Sequence, residues 1–224
     1  MTDDAIESRD KRRNKGSKQI WENSDEETKA IRIQKSCLFE MIPPFDHNNV
    51  LPPYQGDNPA KRGCLSPYKS DIMEFCQYFA TSPERIAILK GFVLFRLECL
   101  KFGVQCGYQW IDGSFVENVE ITKNRAPHDI DVVTMFALPD VSMQVVIANN
   151  FPAFVNPKLS KAQYMVDHYP CLVNETPFGT IESVKYWNQL FGHNRDGVWK
   201  GMVELPLYNN DVMDKQALNF INGL

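Results

Sequence analysis

Within the stretch WIDGSFVENVEITKNRAPHDIDVV, the tripeptide Asp129-Ile130-Asp131 sits in strand-forming sequence and constrains the fold more than any other segment. Successive side chains on a strand alternate faces, so Asp129 and Asp131 project together while Ile130 turns to the opposite side. Repulsion between two such carboxylates raises one pKa unless a cation lies between them, the arrangement a magnesium site requires. Upstream, Gly113-Ser114 closes a second strand-forming run, residues 108–112. Glycine at that point lets a phosphate approach the backbone, and the serine hydroxyl with nearby N–H groups would hold its oxygens. Strand, glycine-serine turn and paired aspartates together point to metal-assisted chemistry on a phosphate.

The remainder of the chain suits one well-buried domain with decoration, since 224 residues with 43% hydrophobic and 23% charged side chains are ordinary globular values. A formal net charge of −4 supplies no global field toward nucleic acid, although a local basic groove is compatible with it. Six cysteines are scattered without a CxxC pair, which reads as reduced and mostly buried thiols. His47, His128, His168 and His193 are too dispersed for a structural zinc site. The apolar runs 86–89 and 93–95 are broken by Lys90 and Arg96, far short of the ~20 residues that span a bilayer. A cytoplasmic protein with no membrane association is expected.

Three segments are distinguished. Residues 1–19 form a charged tail, too poor in apolar groups to order itself. Residues 20–65 carry a helix over 24–35, started by a Ser24/Glu27 capping box, and then a Pro-rich irregular arm anchored by Phe45, Leu51 and Tyr54. Residues 66–224 form the main domain. Ser66-Pro67 and Ser82-Pro83 each place a capping hydroxyl before a proline and predict two helix starts. The first helix presents Ile72, Phe75, Cys76 and Phe79; the second presents Ile86, Leu89, Phe92, Val93, Leu97 and Leu100 and stops at Gly103. Strands are predicted over 108–112, 130–136 and 164–169, with a late strand over 199–207. Asp140 caps a helix to about 148, and another helix runs over 180–191 to Gly192.

The segments GSF at 113–115 and PHDIDVV at 127–133 resemble the nucleotidyltransferase superfamily typified by DNA polymerase beta, whose motif is Gly-Ser after one strand and Asp-x-Asp on the next. The helix ending at Gly103, WIDGSFVE, PHDIDVV and the late HNRDGVWKGMVEL look more closely like the bacterial DUF6932 group of nucleotidyltransferase-like proteins, over roughly residues 45–207. The resemblance implies an α+β domain, a nucleotidyltransferase-like mixed β-sheet backed by helices, which the N-terminal helical and irregular arm precedes. It also implies a third carboxylate on a neighbouring strand. Asp167 is the candidate, on a strand face shared with Met165 and Tyr169, ahead of Asp140, Glu117 and Glu120.

On this resemblance Asp129, Asp131 and Asp167 are the catalytic and metal-holding residues, and magnesium, as two ions or with manganese in its place, is the cofactor. Gly113 and Ser114 bind phosphate, with Arg195 and Lys200 of GHNRDGVWKG as cationic contacts. Asp112 is read as a cap for the following turn and His128 as a loop histidine. The implied reaction moves a nucleoside monophosphate from a nucleoside triphosphate to a hydroxyl of a protein, an RNA or a small molecule. A different class stays open: a catalytically weak module that binds a protein encoded in the same operon, in a toxin–antitoxin or phage-defence setting. Fourteen residues, 115–128, separate Ser114 from Asp129, a longer connection than minimal superfamily members carry, and it either closes over the site or blocks it.

Overall fold

Five strands form one mixed sheet in the order β1-β5-β2-β3-β4, where β1 is Tyr68–Lys69, β2 Cys106–Asp112, β3 Ile130–Ala137, β4 Val166–Leu172 and β5 Val203–Pro206. β2 runs antiparallel to both β3 and β5, while β1 pairs parallel to β5 and β4 parallel to β3. The computed structural model describes residues 42–61 and 63–224, which belong to one unit, Met41–Leu224. The helix read over 24–35, the tail 1–19 and Cys37 lie outside the described residues. The α+β class read from the sequence, a mixed sheet backed by helices, is present.

Strand periodicity divides the sheet into two faces. Ile111, Ile130, Val132, Phe136, Val166, Val203 and Leu205 enter the main core against helices α1 (Ile72–Phe79), α2 (Pro83–Lys101) and α7 (Val212–Asn222). The opposite face carries a smaller cluster of Trp110, Val133, Met135 and Cys171 with Phe191 of α6 (Pro177–Phe191) and Met202. The carboxylates of interest share this second face.

Several local expectations shift for identifiable reasons. Ser66-Pro67 does not start a helix: Ser66 Oγ accepts the Met202 N–H at 2.8 Å, and the chain enters β1 instead. α1 begins at Ile72, capped by Asp71, whose Oδ1 accepts the Glu74 N–H at 2.9 Å. Its predicted stripe of Ile72, Phe75, Cys76 and Phe79 is fully buried. Ser82 and Pro83 do start α2, as read, but the buried face of that helix is wider than the predicted stripe. It takes in Ile88, Phe95, Cys99, Arg85 and Arg96, whereas Ile86, Leu97 and Leu100 are half-buried. A helix packed on several sides buries more than one stripe, and the two arginines follow because their partners are inside.

Asp140 does not cap the next helix. It accepts the Ser142 N–H at 2.9 Å, and α4 runs over Met143–Asn150 with Ser142 at its N-cap. The strand read over 164–169 begins two residues later, because residues up to Tyr164 belong to helix α5 (Pro157–Tyr164) and Met165 reverses the chain in the left-handed conformation at φ +58°. α5 lies close on α2 at Gly91, where any Cβ would stand 2.0 Å from the Tyr164 carbonyl oxygen. The helix read over 180–191 starts earlier, at Pro177, and the late strand is confined to Val203–Pro206. α7, past the last element read from the sequence, packs on α1 and α2.

A line of buried polar groups crosses the core. Asp214 of α7 pairs with Arg96 Nε at 2.5 Å, and Arg96 Nη1 donates to Gln109 Oε1 at 2.7 Å. Gln109 Nε2 donates to Thr134 Oγ1 at 3.0 Å, and that hydroxyl lies 2.7 Å from His168 Nε2. His168 Nδ1 sits 2.8 Å from the Phe154 carbonyl oxygen, which can only accept, so the proton is on Nδ1 and Thr134 donates to Nε2. Desolvation lowers the His168 pKa to about 3, and the imidazole is neutral.

Residues 42–61 and 63–65 are irregular and anchored as read: Leu51 is buried, Phe45 packs on Tyr78 and Phe79, and Tyr54 packs on Trp199. Cys64, Cys76, Cys99 and Cys171 are buried and Cys106 is exposed, all as free thiols. Among the described residues no helix is long and apolar enough to cross a membrane.

Candidate active site

β2, β3 and β4 end in one row of carboxylates. Asp112 lies opposite Asp131 in the antiparallel β2/β3 pair, and Asp131 lies beside Asp167 in the parallel β3/β4 pair. Residues in register project to the same face, so the three share one edge of the sheet. Asp129, two residues before Asp131, joins them; Ile130 between is fully buried on the other side. All four line a cavity of about 830 Å³, together with Gly113 and Ser114. That volume lies within the roughly 300–1,000 Å³ of small-molecule sites.

Crowding is visible in the charges. Burial, followed by the carboxylates of Asp129, Asp112 and Asp167, pushes the Asp131 pKa up to about 7, with Lys200 acting in the opposite direction. Tyr169, which also lines the cavity, is pushed up to about 12 by burial and by Asp167. The Lys161 ammonium, on the last turn of α5, contacts Asp129 Oδ2 and stands 3.9 Å from Asp167 Oδ2. Its hydrogen bond to Asp129 and the surrounding carboxylates raise the Lys161 pKa.

The Gly-Ser turn is tied to the aspartates sterically. Gly113 has φ +81°, and a Cβ there would lie 1.7 Å from Asp131 Oδ2. Asp131 thus occupies the space that any side chain at 113 would need. Ser114 opens a 3₁₀ turn over Ser114–Val116, with no side-chain cap. Asp112, read as a cap, is instead an ion-pair partner: Lys200 Nζ lies 2.8 Å from its Oδ1, without the alignment of a hydrogen bond. Burial raises the Asp112 pKa to about 6 despite that lysine, so the pair is charged at neutral pH.

Lys200, read as a phosphate contact, is 1% exposed; its ammonium also meets Glu117 Oε1 at 2.9 Å and donates to the Gly113 carbonyl at 3.1 Å. Desolvation lowers its pKa, but Asp112 and Glu117 outweigh that and the net shift is upward. Lys200 therefore holds the turn from beneath. Arg195 is exposed on the cavity wall beside His193.

The connection 115–128 forms a wall of the cavity. Arg85 secures it, donating to the carbonyls of Phe115 and Glu117 at 2.6 Å each and to Glu120 Oε1 at 2.6 Å. A short helix, α3 (Val119–Thr122), follows. Glu117, Val119, Lys123, Arg125 and His128 face the cavity, and Lys123 Nζ pairs with Asp196 Oδ2 at 2.5 Å across to the loop carrying Arg195.

Sequence reading thus brought Asp129, Asp131, Asp167, Gly113, Ser114 and Arg195 to one cavity, and it missed Asp112 as a member. Period-2 alternation from Trp110 carries Asp112 to the same face and was the available signal. Lys161 reaches the carboxylates from helix α5, whose end at Tyr164 lies inside the predicted strand 164–169.

Among the described residues no group of three or more His, Cys, Asp or Glu side chains is placed so that it could hold a metal ion as it stands. The donor chemistry nevertheless suits a hard divalent cation: several carboxylates crowd one edge, one of them with a strongly raised pKa, and an ammonium stands against Asp129 and Asp167.

Residues 43–206 match the family described as a family of unknown function, DUF6932, and the chain belongs to that family. No curated protein and no solved structure matches it.

Proposed function

We propose that this chain is a magnesium-dependent nucleotidyltransferase of the DNA polymerase beta-like kind. It moves a nucleoside monophosphate from a nucleoside triphosphate to a hydroxyl of a protein, an RNA or a small molecule. The observation that carries this reading is the packing of Asp131 against Gly113: metal-type carboxylates and a phosphate-type Gly-Ser turn meet in one cavity with Asp129 and Asp167.

In the reaction the acceptor oxygen bonds to the α-phosphorus, the bond from that phosphorus to the pyrophosphate oxygen breaks, and the hydroxyl proton leaves through a carboxylate or water. Magnesium, or manganese, held by Asp129, Asp131 and Asp167 would neutralise phosphate charge and acidify the acceptor hydroxyl. Ser114 and the turn's backbone N–H groups hold the terminal phosphates. Arg195 offers a guanidinium to them from the cavity wall. Lys200 serves the phosphate site through the turn, by fixing the Gly113 carbonyl and the Asp112 carboxylate.

Calorimetric titration of ATP, GTP, CTP and UTP with magnesium tests the reading. The wild type is expected to bind at least one, and Asp129→Asn/Asp131→Asn to bind none; equal binding by the two would remove the aspartates from the site.

A second reading, a binding module for a protein encoded nearby, is favoured by α6. Phe178, Ile181, Tyr186 and Leu190 on that helix are all at least 50% exposed. Apolar groups so grouped mark protein contacts. Binding of a neighbouring gene product, with no triphosphate bound, would favour it over transfer.

A further inference from the structure

The Lys161 ammonium occupies the position a cation between Asp129 and Asp167 would take, and its placement is built rather than incidental. α5 is held on α2 by the close approach at Gly91, its end is fixed by Met165 in the left-handed conformation, and the Met165 N–H donates to the Lys161 carbonyl at 3.0 Å. The side chain itself is 53% exposed, against 15% for Asp129 and 23% for Asp167, so it can withdraw into solvent while the carboxylates stay in place. Lys200, the other cation at this edge, has no such freedom: it is 1% exposed and committed to Asp112, Glu117 and the Gly113 carbonyl.

We infer that Lys161 is a resident counter-ion of the carboxylate edge, exchanged for the divalent cation when the site loads. Without metal, its charge offsets the repulsion between Asp129, Asp131 and Asp167 and keeps their side chains aimed into the cavity. A divalent ion contacting Asp129 and Asp167 must displace the ammonium, so metal binding is competitive with a residue of the chain itself. The displaced side chain stays on the cavity lining, where a ligand's anionic groups would meet it. The inference rests on the metal reading of these carboxylates.

Manganese titration followed by the paramagnetic resonance of free Mn²⁺ reads the exchange without any turnover. Lys161→Met should bind Mn²⁺ about three- to tenfold more tightly than wild type, because an ion pair at a half-exposed site has to be broken in one and not in the other. Lys161→Arg should stay near wild type, as should Lys158→Met, which removes an exposed lysine on the same helix. Circular dichroism confirms that each variant is folded. Equal or weaker Mn²⁺ binding by Lys161→Met, with wild type binding normally, overturns the counter-ion role and leaves the metal reading intact. Absence of Mn²⁺ binding in both folded proteins overturns both.

Discussion

Gly113→Ala would place a Cβ 1.7 Å from Asp131 Oδ2 on a backbone at φ +81°, so either the turn or the aspartate must move. A stability loss of about 2 kcal/mol in urea unfolding is expected, together with loss of triphosphate binding. Lys200→Met leaves the buried Asp112 and the half-buried Glu117 without their cation and should cost about 3–5 kcal/mol. Arg195→Ala, on an exposed position, should change stability by no more than about 0.5 kcal/mol while weakening triphosphate binding. The contrast between the last two separates a residue that builds the turn from one that meets ligand. At this scale the spacing of Asp129 and Asp131 was legible because alternation is a property of any strand. The dependence of Gly113 on the Asp131 carboxylate was not, because it arises between strands.

Between elements, the polar line Asp214–Arg96–Gln109–Thr134–His168 ties α7, α2, β2, β3 and β4 together. His168 has a folded pKa of about 3 against an ordinary 6.5, so above pH 6.5 it costs nothing, and below it the unfolded chain takes up a proton the folded one refuses. Stability attributable to this residue should therefore fall with decreasing pH by up to about 1.4 kcal/mol per unit. Asp112 and Asp131, with raised pKa values, act in the opposite sense over the same range. The difference in urea stability between wild type and His168→Gln, measured from pH 7 to pH 5, isolates the histidine. None of this network was legible: Arg96 reads as a break in an apolar run, and its partner lies on a helix 118 residues away in sequence. The stripe of α1 was legible, since four apolar residues at helical spacing need only one surface to cover. The start of α1 was misplaced because a serine-proline pair caps a helix only when its hydroxyl is not already engaged, and that of Ser66 serves Met202.

At the scale of the described unit, one face of the sheet packs on the main core, and the other carries the smaller apolar cluster and, at its edge, the carboxylates that line the cavity. The α+β class and the meeting of Gly-Ser with the aspartates were readable from order and composition. The cavity walls were not, since the 115–128 connection takes its position from Arg85 on α2. The exposed face of α6 belongs to the same scale. Phe178→Ser, at 83% exposure, should leave stability within about 0.5 kcal/mol and, if that face docks a partner, abolish co-purification with it. The central claim is transfer of a nucleoside monophosphate, and label position tests it most directly. With magnesium and cell extract, label at the α-phosphate should appear on an acceptor and label at the γ-phosphate should not, and Asp129→Asn/Asp131→Asn should transfer neither. Transfer of α-label by that variant at the wild-type rate would contradict the account.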